Sequence, residues 1–530
     1  MKKKVIALMM SLTFLVSLLA GCGNGTGQTA STGPEADHTS ASPSVPAQSS
    51  SDGITEIIWQ YPTIMDTNSE GFRNMEDKLN EMMEKDIGVH VTFEPVGLSE
   101  SQNSAALMIS SGEQLDIMLT AFTSMGNVVD KGLVMPLDDL LEKYGQDILS
   151  KSFTKEMCGY DGKTYGVTTG DTIGNGYGYM MKKQYWDKYN LAGKFDYTED
   201  KIFTLDEIEE MFAIVKEGEG ENFYCTIPWN TTQDPLNNSY IEYDKPSGSL
   251  SGGVIMLNRD FADTTVYDLF ETPEYEEYCG MMYDWAQKGY ISSDAAVSTE
   301  APETMYLQPN YLGMFYWHMS EDMNEFQASV SEPVISLKIL PYYMPYNGGS
   351  VIQWSIPISS GNPEKAMEAL NYIYKNNEAA WLIMFGMEGE EYEVTARDGE
   401  QLQIRYLAED TTSLPYYMPY GIWGDRLAWP VPEPSDMSLN SKKRQLMEEC
   451  PESRKSPIFG YSFKSQAVST EIAAVESVIA QYTPSLNAGA LDPAKALPEF
   501  LNALKAAGMD HIIEEQQSQI NAWIAAKQAQ

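Results

Sequence analysis

The chain is 530 residues long and carries 76 acidic against 35 basic side chains, a formal charge of −41 at neutral pH. So acidic a surface repels phosphate backbones and anionic headgroups, which excludes nucleic-acid binding and electrostatic adhesion of the folded body to a membrane. Its four histidines and five cysteines show no H-E-x-x-H, C-x-x-C or G-x-S-x-G spacing, so metal-hydrolase and serine-hydrolase chemistry lack their residues.

Lys2, Lys3 and Lys4 precede an apolar run over residues 5–20 that ends in Leu19-Ala20-Gly21-Cys22. About 16 apolar residues fall short of the ~20 needed to span a bilayer, so the segment reads as a signal peptide. Its end resembles the lipobox of bacterial lipoproteins, in which Cys22 receives the diacylglyceryl group. The mature chain is then expected to begin at Cys22 with a charge of about −44, because residues 1–21 hold three lysines and no acid. Residues 23–53 are almost wholly small and polar, with no apolar periodicity. They form a tether that holds the body some 30 Å from the lipid, by the square-root scaling of flexible chains.

Residues 54–60 read as a strand. Phe72, Met75, Leu79 and Met82 then recur at helical spacing, and Val89, Val91 and Phe93 alternate as a second strand. A helical stretch through Ala105, Leu107 and Met108 stops at Ser110-Ser111-Gly112, and Ile117-Met118-Leu119 is a third strand. This order predicts an α/β fold with a parallel, doubly wound sheet, whose ligands sit beyond the carboxyl ends of the strands. Those ends carry Trp59, Gln60 and Tyr61, then Thr120, Ala121 and Phe122. Asp161-Gly162, between aromatic and apolar flanks, marks a hairpin. The glycine-rich stretch 170–179 lacks the strand, turn and third glycine of a phosphate loop and reads as a flexible crossover.

Residues 180–220 look helical, with Thr204 and Glu207 as a capping box. Another helix is expected over 273–287, followed by the aromatic run 311–317; Ile339-Leu340-Pro341 closes a strand, and 348–357 begins another. Asn362-Pro363 caps a helix whose face is Ala366, Ala369, Leu370, Ile373 and Tyr374. The tail shows one stripe of Val468, Ile472, Val475, Ile479 and Tyr482 and another of Leu497, Phe500, Leu501 and Leu504. A third helix holds Ile512, Ile513, Ile520 and Trp523. No internal repeat of an adhesin type is visible. Cys158, Cys225, Cys279 and Cys450 read as buried small hydrophobes whose pairing is not legible.

Several pieces, taken in order, resemble the extracellular solute-binding lipoproteins of bacterial ABC importers, in the broad class that includes maltose-binding protein. They are the lipobox, the segments 110–117 and 160–167, Ile356-Pro357-Ile358 leading into Pro363-Glu364-Lys365-Ala366-Met367, and Phe385-Gly386-Met387-Glu388-Gly389. From Phe459-Gly460-Tyr461 onward the chain resembles the uncharacterised C-terminal domain of a Firmicutes branch of this family. The resemblance implies a periplasmic-binding-protein-like architecture: two lobes built from discontinuous segments, a hinge and a helical C-terminal extension. Lobe 1 would take 54–168, lobe 2 would take 169–347, a return to lobe 1 with inter-lobe segments would take 348–458, and 459–530 would be mostly helical. Crossovers are expected near 168–171 and 347–351, the second with Gly348 and Gly349.

The same resemblance implies a mono- or oligosaccharide ligand, ABC permease subunits as partners, a monomer held by lipid at the extracellular face of the cell membrane, and neither cofactor nor metal. Trp59, Tyr61, Thr120 and Phe122 are ligand candidates by motif position, and Asp171 and Tyr177 follow the first crossover. Trp317 matches the family's aromatic strand end, Trp354 follows the second crossover, and Trp229 follows Ile227-Pro228. Arg and Lys are scarce near these positions, which argues against a uronate or phosphate and leaves a neutral glycan, a peptide or a polyamine. The rival from another class is a secreted carbohydrate-active hydrolase with paired carboxylates ~5–9.5 Å apart, with Asp171 as one of them. His318, beside Trp317, reads as structural.

Overall fold

The computed structural model describes residues 53–529 except 64, 122–124, 169–174, 199–200, 230–234, 247–252, 258–262, 318–332, 346–351, 400, 409–410, 419 and 434. Cys22, the tether, Phe122, Asp171, His318, Gly348 and Gly349 therefore lie outside the described residues.

Lobe 1 starts as its sequence pattern requires. In β1 (Thr55–Pro62) Ile57, Trp59 and Tyr61 alternate into one core, and α1 (Glu70–Ile87) lays Phe72, Met75, Leu79 and Met83 on them. The Ser69 hydroxyl accepts from the Phe72 N–H at 3.1 Å to begin α1, and Gly88, at φ 64°, ends it in the left-handed conformation. β2 (Val89–Val96) runs parallel to β1, from Thr55 opposite Val89 to Pro62 opposite Val96. After α2 (Ser101–Ser111), β3 (Met118–Ala121) extends the sheet on the other side of β1, where Gln60 N donates to Ile117 O at 2.9 Å. β2, β1 and β3 thus run parallel in that order, as a strand–helix–strand alternation requires.

The hairpin of β4 (Gly159–Tyr160) and β5 (Lys163–Thr164) turns on Asp161 and Gly162, both at positive φ, as a two-residue turn needs. β6 (Val167–Thr168) follows and leaves for lobe 2.

In lobe 2 the central strand is β7 (Asn175–Lys182), which corrects the expectation of helix from residue 180. Tyr179 and Met181 pack into one core and Met180 into another, so the strand is covered on both faces and shows no polar alternation. α3 (Leu205–Glu219) begins with the complete Thr204–Glu207 capping box. The small antiparallel strip of β8 (Tyr243–Asp244), β9 (Val254–Leu257) and β10 (Tyr267–Asp268) precedes α4 (Pro273–Gln287). β11 (Gly313–Trp317) and β12 (Val334–Tyr343) then flank β7, both antiparallel to it. β12 continues past Pro341, where the sequence predicted an end; register shifts on either side of Leu340 accommodate the missing N–H.

β13 (Ile352–Ser355) returns to lobe 1 and inserts antiparallel between β3 and β6. α5 (Pro363–Lys375) and α6 (Asn377–Phe385) complete the core over α1; Asn362 precedes α5 without a side-chain cap, and Asn376 supplies one for α6. The hairpin of β14 (Tyr392–Asp398) and β15 (Gln401–Tyr406), joined by β16 (Val431–Pro432), and α7 (Leu439–Glu448) close this lobe.

The C-terminal helices are α8 (Ser469–Asn487), α9 (Pro493–Ala507) and α10 (Met509–Gln528). They do not stand apart. Val475, Phe500 and Ile512 share one continuous core with Tyr179, Phe212 and Trp285 of lobe 2. Two large cores result: one draws on residues between 57 and 167 and between 354 and 429, the other on residues between 179 and 337 and between 458 and 520. This is the two-lobed, discontinuous α/β fold with a helical extension.

Candidate functional site

The chain changes from one core to the other between β6 and β7 and changes back between β12 and β13; residues 169–174 and 346–351, in those intervals, lie outside the described residues. Because β7 is antiparallel to both neighbours, its start lies at the same end of the sheet as the finish of β11 and β12. In the chain that end follows β6 and precedes β13, and in lobe 1 the finish of β6, the finish of β3 and the start of β13 share one edge. The register sets Tyr177 opposite Trp317 on one side and Leu340 on the other. The Tyr343 ring lies 6.4 Å from that of Tyr177, and the two tyrosines cluster with Leu340. Aromatic side chains thus gather where lobe 2 turns toward lobe 1.

On lobe 1, residues 414–418 and 420–424 pack against the core, with Tyr416, Met418, Ile422 and Trp423 buried in it. A Cβ on Gly71, in the first turn of α1, would collide with the Pro415 carbonyl, so the two segments touch closely only because residue 71 is glycine. Tyr416 and Tyr61 share a hydrogen bond between hydroxyls at 2.7 Å, and Ile422 O accepts from Trp354 Nε1 at 3.0 Å. Along this segment Tyr417 and Tyr420 remain half-buried, and burial pushes the Tyr420 hydroxyl above its ordinary pKa. Sequence reasoning missed both; the run Tyr416-Tyr417-Met418-Pro419-Tyr420 was the available signal.

Four ligand candidates lie instead in the interior, which corrects the expectation that they line the cleft. Trp59 is fully buried, its ring 5.4 Å from Trp354 and 5.3 Å from Trp423. Tyr61 packs 4.8 Å from Phe93 and 5.1 Å from Phe72. Trp354 is fully buried too, and the Thr120 hydroxyl is buried 3.4 Å from that of Ser355. Strand alternation points these side chains into the lobe rather than out of its end. Trp229, 7% exposed, packs 6.0 Å from Tyr316 in a cluster with Met180 and Met314, on the other face of the lobe 2 sheet from the main core. Tyr177 and Trp317 are brought together by the register, while Phe122 and Asp171 lie outside the described residues.

A groove of about 800 Å³ lies elsewhere on lobe 1, lined by Asp86, Ile87, Tyr144, Asn371, Tyr372 and Trp381. Its polar groups serve the fold: Tyr372 donates to Asp86 at 2.7 Å, Asn376 to the Tyr372 hydroxyl at 2.9 Å, and Trp381 to Ala428 O at 3.0 Å. The strand ends between the lobes remain the better site. All four described cysteines are buried. Desolvation pushes the Cys225 and Cys279 thiols up to about 12, which keeps them protonated and unreactive.

Residues 78–386, more than half of the chain, match the family of bacterial extracellular solute-binding proteins. The chain belongs to that family. Residues 457–525 of this solute-binding protein also match a domain of unknown function, DUF3502. A carbohydrate ABC transporter substrate-binding protein of Streptococcus pneumoniae is 24% identical over 531 residues, covering 98% of this chain and 97% of that one. The crystal structure of an N-glycan transport solute-binding protein from Streptococcus pneumoniae aligns with a TM-score of 0.74 at 19% identity, over 89% of this chain and 99% of that one. The same protein in complex with Man1GlcNAc gives 0.65 at 18% identity, over 89% and 99%. The Streptococcus pneumoniae ABC-transporter substrate-binding protein FusA with kestose gives 0.55 at 15%, over 89% and 99%. The solute-binding protein is therefore an extracellular binding component and not an enzyme, and the hydrolase alternative is left without support.

Proposed function

We propose that this solute-binding protein captures a neutral oligosaccharide between its lobes and delivers it to the permease subunits of an ABC importer. The observation that carries this reading is the contact of the Tyr177 and Tyr343 rings at the end of lobe 2 from which the chain passes to lobe 1, with Trp317 opposite Tyr177 in the strand register; we take Tyr417 and Tyr420 as the rings that lobe 1 would contribute. Aromatic faces stack on the C–H faces of sugar rings, and a cleft between lobes can bury most of a ligand. Phe122 and Asp171 would be a further ring and a hydroxyl-binding carboxylate for the ligand. The names of the relatives, which speak of carbohydrate, N-glycan and kestose, support the sugar class.

In this reading Cys22 carries the lipid, the tether spans residues 23–53, and the lobes divide at 168/169 and 347/348. The membrane is then met through the acyl chains and the permease, and the protein works as a monomer at the extracellular face. Purified protein lacking residues 1–22 should gain thermal stability with Man1GlcNAc or kestose by RT ln(1 + [L]/Kd), about 2.7 kcal/mol at a hundredfold excess over Kd. A panel of sugars, peptides and polyamines that leaves the melting temperature unmoved would overturn the reading. Cys22→Ser should release the protein from the cell into the medium; retention at the membrane would remove the anchor.

A further inference from the structure

The helices matched by the domain of unknown function complete the core of lobe 2, yet the chain leading into them touches both lobes. Met447 and Cys450 pack with Met157, Cys158 and Leu427 of lobe 1, and Met344 just beyond β12 joins the same cluster. Residues 451–464 then run past the exit of β12. Met344 N donates to Arg454 O at 2.9 Å, and Ser456 N donates to Met344 O at 2.8 Å. Arg454 Nη2 donates to Pro341 O at 2.9 Å, and its guanidinium lies 6.0 Å from the Tyr343 ring that neighbours Tyr177. Phe459 meets Phe153 of lobe 1 edge-on at 5.9 Å. At Gly460, φ 89°, a Cβ would strike the Glu156 carbonyl, so the segment lies flush on lobe 1.

Lys464 makes the last of these contacts. Its N–H donates to Gln519 Oε1 at 2.9 Å and its carbonyl accepts from Gln519 Nε2 at 2.9 Å, so its backbone moves with α10. Its ammonium reaches back to the Asp161 carboxylate in the turn of the lobe 1 hairpin and lies 4.8 Å from the Tyr160 ring. We propose that residues 451–464 are a brace between the lobes: Arg454 fixes the exit of β12 behind Tyr343, and Lys464 ties α10 to the Asp161 turn, so that the C-terminal helices set the angle between the lobes. Its effect on ligand affinity rests on the reading of a cleft given above.

The Lys464 and Asp161 side chains are 45% and 63% exposed, so their pair contributes little to fold stability. A contact made in only one arrangement of the lobes nevertheless shifts the balance between arrangements by its whole free energy. Rotation of one lobe on the other carries Lys464 with α10 and must stretch or break its hold on Asp161.

The test uses protein lacking residues 1–22, spin-labelled at Leu107→Cys on lobe 1 and Val297→Cys on lobe 2. Both sites are exposed, 70% and 78%, and the four native thiols are buried. Pulsed dipolar spectroscopy without ligand should show a shifted or broadened inter-lobe distance in Lys464→Met and in Asp161→Asn, with Lys464→Arg retaining the parent distance and all melting temperatures unchanged. Asp161→Asn keeps a residue that tolerates the positive φ of the turn. Parent-like distances in both Lys464→Met and Asp161→Asn would overturn the brace, as would a shift in Lys464→Arg equal to that in Lys464→Met. With Man1GlcNAc, Lys464→Met should change Kd by about threefold or more, the size expected of a small population shift. If neither the parent nor any variant binds any member of the panel of sugars, peptides and polyamines, the reading of a cleft fails while the ligand-free distances still decide the brace.

Discussion

At the scale of single residues, the chain shows the difference between a side chain at the end of a strand and one that faces out of it. Trp59, Tyr61 and Trp354 stand at positions the sequence offers as ligand candidates, and period-two alternation sends all three inward, around Phe93 and Trp423. The two roles separate experimentally. Trp59→Ala removes a fully buried indole and should cost about 3–5 kcal/mol in denaturant unfolding; a loss under 1 kcal/mol would mean that the ring is not a core member. Trp317→Ala should instead weaken glycan binding while lowering stability by no more than ~1 kcal/mol. Collapse of the fold would assign Trp317 to packing. The composition of the site was legible in the sequence as a surplus of aromatics, but their direction was not, because motif position fixes a place along a strand and not the face on which it is buried.

Among the secondary-structure elements, those with one apolar face were the readable ones. α1, α3, α4 and the three C-terminal helices appear where apolar spacing predicts them, down to the Thr204–Glu207 box, and the Asp492 side chain accepts from Ala494 N to begin α9. β7 was missed because Gly176 and Gly178 imitate a loop and because both of its faces are buried, which erases alternation. Gly313 explains part of that composition: a Cβ there would strike the Met180 carbonyl, so β11 and β7 approach at glycine.

The junction of β10 with the start of α10 should also respond to pH. Desolvation, with help from Glu271 and Asp510 nearby and despite a hydrogen bond from Phe270 N at 2.9 Å, raises the Asp268 carboxyl to about 7. The unfolded chain titrates that group near 4, so the folded state alone holds the proton between those values. Stability from this group is therefore full below about pH 4 and is lost as pH rises through about 7. Asp268→Asn should flatten the fall in melting temperature between pH 5 and 8; parallel profiles for the two proteins would place the titration elsewhere.

For the molecule as a whole, the sequence suggested an appended helical tail, and the structure makes that tail part of lobe 2. The physical reason it read as separate is sequence distance: α4 and α8 lie nearly two hundred positions apart, and nothing in either stripe names its partner. Contact between them is nonetheless extensive, since Ile472, Val475, Ile479, Leu497, Phe500, Leu504 and Ile512 are all buried in one cluster with Tyr275, Tyr278, Met282 and Trp285. Gly489, at φ 64°, even brings its Cα against the Met282 carbonyl of α4, where a Cβ would collide. Ending the chain after residue 456 would leave that apolar face of lobe 2 in water, and each large side chain so exposed forfeits about 1.5–3 kcal/mol of burial. Against the 5–15 kcal/mol that folded domains possess, a loss of several such residues exceeds the margin. The truncated protein should therefore bind a hydrophobic dye and lose the cooperative melting of lobe 2, while lobe 1, whose core takes nothing from residues beyond 429, keeps its own transition. Independent melting of an intact lobe 2 in that truncation would show instead that the helices are an appendage, and would detach the brace at 451–464 from any rigid body on which it could act.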